Sequence, residues 1–257
     1  FEGWCRSCHR PSANGVVLID TWEMRLPVGD ESLAPCLRDD GFWESWVSLA
    51  LARHLRPGMR LVDVGAHAGW YTLLALARGA ARVLAVEPQP ELSALLRRTL
   101  LGIGLSGFVD HWAGCLGAAW GVADLHLYGL HTGNASLVRT AGWEVTETVR
   151  TGVAPLDGLL DGWKPWRGAV DVVKVDAEGA EEDIWLGMGE TLERNPQALV
   201  VMEVARGRGY DLDAFLWLIE GDGWPVRAVQ EDGEVGPLDA AWLDAEGTRW
   251  ATLWLRR

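Results

Sequence analysis

Positive charge is scarce in this chain. Lys and Arg number 23 against 36 Asp and Glu, a formal net charge of −13 over 257 residues. Gripping a nucleic acid takes basic residues in excess, so no nucleic-acid partner is expected. Nothing in this balance draws the chain to an anionic membrane either. Apolar runs of membrane-spanning length are missing. The start, Phe1-Glu-Gly-Trp4, lacks a basic segment and a hydrophobic signal core, which makes the cytoplasm the expected compartment. Repeats, low-complexity segments and a linker long enough to split the chain are also lacking. With 49% hydrophobic residues, the expectation is one domain over residues 1–257, an extension over 1–57 followed by a core over 58–257.

Cysteine is sparse too, four residues in all. Cys5-Arg-Ser-Cys8-His9 has the form of a haem attachment pattern, but export and an axial ligand are not indicated. Cys5, Cys8, His9 and Cys36 are an alternative Cys3His zinc set. A second C-x-x-C is absent and neighbouring Cys8 and His9 are awkward on one ion, so free thiols and no bound metal are expected. Cys115 reads as a small core residue. Tryptophan is abundant, at sixteen, yet it forms no basic-aromatic stripe of the kind that stacks single-stranded bases. Most are expected in the core, with Trp143, Trp163 and Trp166 as candidates to line an acceptor pocket.

Alternating strands and helices dominate what is present. A small hairpin is expected over 16–27 and a helix over 45–55, stopped by Arg56-Pro57-Gly58. Strand 61–64, helix 69–78, strand 82–86, helix 90–103 and strand 108–113 follow. Segments 122–128 and 145–153 bracket a polar loop, 129–139, as a hairpin insertion. Strand 170–175, helix 180–187, strand 198–204 and helix 211–220 come next, and 226–229 with 249–254 form a closing antiparallel pair. This order implies an α/β, doubly wound, Rossmann-like sheet with right-handed crossovers.

Chemistry concentrates in two segments. In the first, Leu61-Val-Asp63-Val-Gly65-Ala-His67-Ala-Gly69-Trp-Tyr71-Thr72, a strand runs through an acid and a Gly-rich turn into a helix. Gly65 permits the sharp turn, and Gly69 is expected to let the backbone approach a ligand. The helix start near Trp70 offers free N–H groups and a positive dipole end. The second strand ends in Glu87-Pro88, where an acid is placed to accept bonds from both ribose hydroxyls. A dinucleotide loop needs G-x-G-x-x-G for its pyrophosphate. Here the spacing is G-x-x-x-G, preceded by Asp63 and without Lys or Arg. That suits a cofactor with an ammonium and a sulfonium, S-adenosylmethionine.

The other segment is Asp171-Val-Val-Lys174-Val-Asp176-Ala-Glu178-Gly179-Ala-Glu181. Alternation puts Lys174 and Asp176 on one face at the carboxyl end of a central strand, where ligands of open α/β sheets bind. Glu178 sits on the turn and Glu181 in the first helical turn. Carboxylates and an amine this close couple their proton affinities, as acid/base work or a divalent ion requires.

Together these segments resemble the FkbM-type family of S-adenosylmethionine-dependent methyltransferases. The likeness spans about residues 40–205. It rests on DVGAHAGWYT (63–72), Val86-Glu87-Pro88, VKVDAEGAE (173–181) and Met202-Glu203. Gly41-Phe-Trp-Glu44, Leu55-Arg-Pro-Gly58 and the loop Thr132-Gly-Asn134-Ala-Ser136-Leu137 add to it. The resemblance implies a class I methyltransferase fold, a seven-stranded sheet with one antiparallel strand, and methyl transfer to a hydroxyl of a sugar or natural product. Cofactor contacts are then expected from Glu44, Asp63, Gly65, Ala66, Gly69, Trp70, Tyr71, Glu87, Pro88, Ala113 and Asp176. Catalytic or acceptor-side roles fall to Lys174, Asp176, Glu178 and Glu181.

Two variants of the chemistry follow. In one, Asp176 or Glu178 takes the hydroxyl proton while Lys174 orients it or stabilises the oxyanion. In the other, Asp176, Glu178 and Glu203 bind Mg²⁺, which polarises the hydroxyl. His131 is a further candidate base, on the insertion loop. An amine acceptor, or a module that binds the cofactor without turnover, is the alternative.

Overall fold

The computed structural model describes residues 16–19, 22–139, 142–166, 169–239, 243 and 250–257. An antiparallel hairpin, β1 (Val16–Ile19) and β2 (Trp22–Arg25), leads into α1 (Leu33–Asp39) and α2 (Ser45–His54). Then come β3 (Arg60–Val64), α3 (Trp70–Ala77), β4 (Arg82–Val86), α4 (Pro90–Gly102) and β5 (Val109–Trp112). The insertion holds β6 (Cys115–Leu116), β7 (Gly121–Leu127) and β8 (Glu147–Ala154). The second half runs α5 (Leu156–Gly162), β9 (Val172–Val175), α6 (Glu181–Leu186), α7 (Gly189–Arg194), β10 (Leu199–Ala205) and α8 (Leu212–Gly221). It closes with β11 (Arg227–Val229), β12 (Val235–Pro237) and β13 (Trp250–Leu255).

The main sheet has the order β12-β11-β13-β10-β9-β3-β4-β5. Strands β10, β9, β3, β4 and β5 pair in parallel, while β13 is antiparallel to β10 and to β11. This corrects the seven-stranded expectation. An eighth strand, β12, joins because Gln230 and Glu234 close a tight turn, with the Gln230 amide donating to the Glu234 carbonyl at 2.8 Å. The insertion also exceeds the expected hairpin, since β6 pairs in parallel with β8.

The central strands are aliphatic on both faces because helices cover both, as a parallel sheet requires. Leu61, Val83, Ala85, Val172, Leu199 and Val201 join α1–α4 in one core. Val62, Leu84, Val86, Val173, Val175, Val200 and Met202 join α5–α8 in the other. Burying each large aliphatic contributes about 1.5–3 kcal/mol. Two local signals set helix starts. Pro90 opens α4, where its missing N–H costs nothing, and the Asp211 carboxylate accepts from the amides of Asp213 and Ala214 to cap α8.

Trp166 is buried in the second core and donates to Asp110 at 2.6 Å, Trp163 packs against that core, and neither lines the cavity at the carboxyl ends of β3 and β9. Cys36 and Cys115 are free thiols. Cys5, Cys8 and His9 lie outside the described residues. No described helix is long and apolar enough to cross a membrane.

Candidate active site

The chain leaves β3 toward β4 and β5 on one side, and leaves β9 toward β10 on the other. The carboxyl ends of β3 and β9 therefore flank the point where the winding reverses, where a crevice opens. A cavity of about 270 Å³ lies there. Asp63 pairs in register with Lys174, and the Asp176 amide donates to the Val64 carbonyl at 3.1 Å.

Ten of the expected residues line this cavity: Glu44, Gly65, Ala66, Trp70, Tyr71, Glu87, Pro88, Lys174, Asp176 and Glu178. Four do not. Asp63 is fully buried beneath the wall, accepting from the Thr72 hydroxyl at 2.6 Å. Gly69 makes room for packing: a Cβ there would sit 2.4 Å from Leu96 on α4. Ala113 is exposed, and the wall near it is made by Cys115 and Leu116. Glu181 turns inward and accepts from the amides of Ala177 and Gly179, so it shapes the turn that carries Glu178. His131 is also outside the wall, 3.8 Å from Glu31 and edge-on to Trp143. Tryptophans do line the cavity, but they are Trp43, Trp70 and Trp250.

Backbone strain concentrates here. The non-glycine residues with positive φ among the described residues are Glu44 at 40°, His67 at 51° and Glu178 at 53°, and all three line the cavity. Such conformations cost free energy and persist where the surroundings hold them, commonly at functional sites. Buried side-chain atoms without a hydrogen-bond partner in the described structure are Asp63 Oδ1, His67 Nδ1 and Arg208 Nη1. They lie under or along the same wall, and such orphans call for a ligand or water.

The floor on the β3–β4 side belongs to Glu87. Its carboxylate accepts from the His67 amide at 2.7 Å and the Gln89 amide at 2.8 Å, and burial pushes its pKa up to about 7. His67 bridges this floor to a roof. The Thr132 hydroxyl donates to Asp30 at 2.6 Å, so its oxygen takes the proton of His67 Nε2 at 2.7 Å, leaving Nδ1 as a lone pair. Burial lowers His67 to about 4, which keeps the ring neutral. Asp30 also accepts from the Ser32 hydroxyl and the Ala34 amide, and these bonds hold it below the usual carboxylate range despite burial. The extension and the insertion loop thus meet over the cavity.

On the β9–β10 side, Lys174 donates to Asp176 at 3.1 Å and lies 4.7 Å over the Tyr71 ring. Burial works against the Lys174 ammonium, but Asp176, Asp63 and Glu44 outweigh it and raise its pKa. Lys174 and Arg208 in turn hold Asp176 low against its own burial. Tyr71 donates its hydroxyl to Glu44, whose pKa burial and Asp176 raise. Glu178 is pushed up to about 8 by burial, despite Arg208.

Arg208 and Glu203 complete the cluster. Arg208 Nη2 lies 2.9 Å from Glu178 and 2.7 Å from Glu203. Asp176, Glu178 and Glu203 offer oxygens within 4.8 Å of one another, a spacing open to a metal ion. The cation among them is the protein's own guanidinium, so the residues present do not fit the Mg²⁺ variant. The clue in the sequence was Gly207-Arg208-Gly209, one residue past the end of β10: both glycines have positive φ, and the turn sets the arginine against Glu178 and Glu203.

Residues 63–222 match the methyltransferase FkbM domain. No curated protein matches this chain in sequence. Among solved structures, a candidate rRNA methylase of Clostridium thermocellum superposes with a TM-score of 0.51 at 9% identity, over 81% of this chain and 92% of that one. A TehB-like SAM-dependent methyltransferase of Corynebacterium glutamicum gives a TM-score of 0.49 at 12% identity, over 87% and 93%. A precorrin-6y C5,15-methyltransferase of Geobacter metallireducens gives 0.48 at 13%, over 85% and 95%.

Proposed function

Given that the chain belongs to the FkbM methyltransferase family, we propose that it methylates a hydroxyl of a sugar or natural-product small molecule. One observation carries this reading: a single cavity joins a Glu87 floor beside the Gly65 turn to an acid-rich wall built on Lys174, Asp176 and Glu178.

The residues fit S-adenosylmethionine. Glu87 keeps lone pairs for two ribose hydroxyls beyond the two amides it already accepts. The turn carries no cation to repel a sulfonium, and Asp63 Oδ1 beneath it lacks a partner. Gly65, Ala66, Trp70, Tyr71, Pro88 and Glu44 make the remaining contacts. When bound, the cofactor supplies an electrophilic methyl group and leaves as a neutral thioether.

The chain's own task is to hold a hydroxyl oxygen in line and accept its proton. Asp176, kept ionised by Lys174, orients the hydroxyl. Glu178, with a pKa of about 8, is poised to exchange a proton near neutral pH. Trp43 and Trp250 offer flat apolar faces for a sugar ring. The charge of −13 disfavours an RNA acceptor. An amine is the second reading, favoured by the acidic wall of Glu44, Asp176, Glu178 and Glu203, in which Asp176 is held ionised.

Incubation with methyl-labelled S-adenosylmethionine and metabolite extracts, then mass spectrometry of the labelled product, tests the proposal. Label on an oxygen of a hydroxylated small molecule is expected. Label on nitrogen selects the amine reading, and label on RNA overturns both.

A further inference from the structure

Three carboxylates close enough to share one ion make a site for a hard divalent cation, whose ligands are oxygens. In this chain that site is filled from within. We propose that Arg208 is the resident cation of the Asp176–Glu178–Glu203 cluster, taking the place of a divalent metal ion, and that it turns its guanidinium to the acceptor oxygen.

The geometry supports the first half directly. One nitrogen of Arg208 is shared between Glu178 at 2.9 Å and Glu203 at 2.7 Å, and the other lies 3.9 Å from Glu181. The arginine is clamped through its backbone. Gly179, at φ 115°, lets the Glu178 turn press against it: a Cβ on Gly179 would lie 2.5 Å from the Arg208 carbonyl oxygen. A Cβ on Gly209 would meet Val138 of the insertion loop at 2.8 Å. The side chain is only 16% exposed.

The second half rests on the methyl-transfer reading and on the place of Arg208 in the cavity wall between Glu178 and Glu203. A guanidinium carries five N–H groups and does not lose its proton in proteins. Nη1 is buried, has no hydrogen-bond partner in the described structure, and belongs to a residue of the cavity wall. Nη1 lies toward buried Glu181, so an acceptor oxygen entering between Asp176 and Glu178 meets the guanidinium on its Nη2 side and takes a share of the hydrogen bonds now made to Glu178 and Glu203. A metal would lower the proton affinity of that hydroxyl by its charge; Arg208 does so by charge and hydrogen bond together. The hydroxyl proton passes to the ionised form of Glu178, and the lone pair it leaves stays on the oxygen facing Arg208.

Manganese is the probe that tests this, read by electron paramagnetic resonance on the full chain. Wild type is expected to leave the free Mn²⁺ signal unchanged. Arg208→Ala, or Arg208→Gln if the smaller side chain impairs folding, should bind about one Mn²⁺ at least about tenfold more tightly than wild type, as an uncompensated carboxylate cluster does. Asp176→Asn added to either should remove that binding, and Arg208→Lys, which keeps the charge, should still exclude the metal. Equal Mn²⁺ binding by wild type and Arg208→Ala overturns the proposal. So does an Arg208→Ala or Arg208→Gln protein that binds S-adenosylhomocysteine but no Mn²⁺. For the second half, turnover in the labelling assay should fall at least about tenfold in Arg208→Ala and recover in part in Arg208→Lys, with S-adenosylhomocysteine affinity kept. Unchanged turnover in Arg208→Ala defeats that half. Failure of wild type to bind S-adenosylhomocysteine overturns the methyltransferase reading instead, and leaves the Mn²⁺ result standing.

Discussion

Gly65 and Asp176 touch across the reversal point of the sheet: a Cβ on Gly65 would lie 1.8 Å from the Asp176 carbonyl oxygen. The turn after β3 and the turn after β9 are therefore built against each other, backbone to backbone, and one glycine sets their spacing. Gly65 also sits at φ 75°, which an L side chain adopts only under strain. Gly65→Ala is expected to lose at least about 1–3 kcal/mol of stability from the dihedral alone, with more from the clash. Denaturant unfolding measures the loss. A variant as stable as wild type would show that the two turns are not locked together.

Glu87 should govern nucleoside binding. Glu87→Ala is expected to weaken S-adenosylhomocysteine by about 1.5–3 kcal/mol, the scale for hydrogen bonds to a charged group. The sign of the pH dependence follows from its pKa. Burial raises the ligand-free value to about 7, and the ionised form accepts more hydrogen bonds, so affinity should rise as pH goes from 6 to 8. Calorimetry across that range should show the rise in wild type and a flat profile in Glu87→Gln. Identical profiles would place the ribose elsewhere.

Asp176 should separate chemistry from cofactor binding. Asp176→Asn, which removes the ionised group that orients the hydroxyl, is expected to reduce turnover by at least about a hundredfold, while S-adenosylhomocysteine affinity changes little. Parallel losses in both would make Asp176 a support of the cofactor side.

His67 should leave a mark on acid stability. Its folded pKa is lowered to about 4 by burial, below the 6.5 of an unperturbed histidine. Between those values the unfolded chain binds the extra proton, so this stabilisation is complete above pH 6.5 and is lost as pH falls toward 4. Glu87 and Glu178, whose pKa values are raised, titrate in the opposite sense, so the informative quantity is a difference between proteins. His67→Asn tolerates the positive φ and does not titrate. Its melting temperature relative to wild type should improve steadily from pH 6.5 to 4.5. A constant offset would mean that His67 is protonated in the fold.

Much of this arrangement was legible locally. Val-Leu runs in β3, β4, β9 and β10 announce strands covered on both faces, and Gly65 announces a turn at the end of one of them. Alternation alone puts Lys174 and Asp176 on one face, and the hydrogen bond between them follows. These features depend on residues within a few positions of each other, where the period of a strand and the freedom of glycine decide the outcome.

Tertiary structure decided the rest, because it depends on which loops converge. Arg208 reaches Glu178 from thirty residues away, and Asp30 meets Thr132 over a separation of 102; neither pairing has a local signature. The same holds for residues whose direction was misread. Glu181 and Gly69 belong to motifs that suggest ligands, yet Glu181 serves the turn beneath Glu178 and Gly69 serves Leu96 on α4. Spacing showed that acids gather at the end of β9. Only the strand order, which brings the turn after β10 over them, showed that an arginine already neutralises part of their charge.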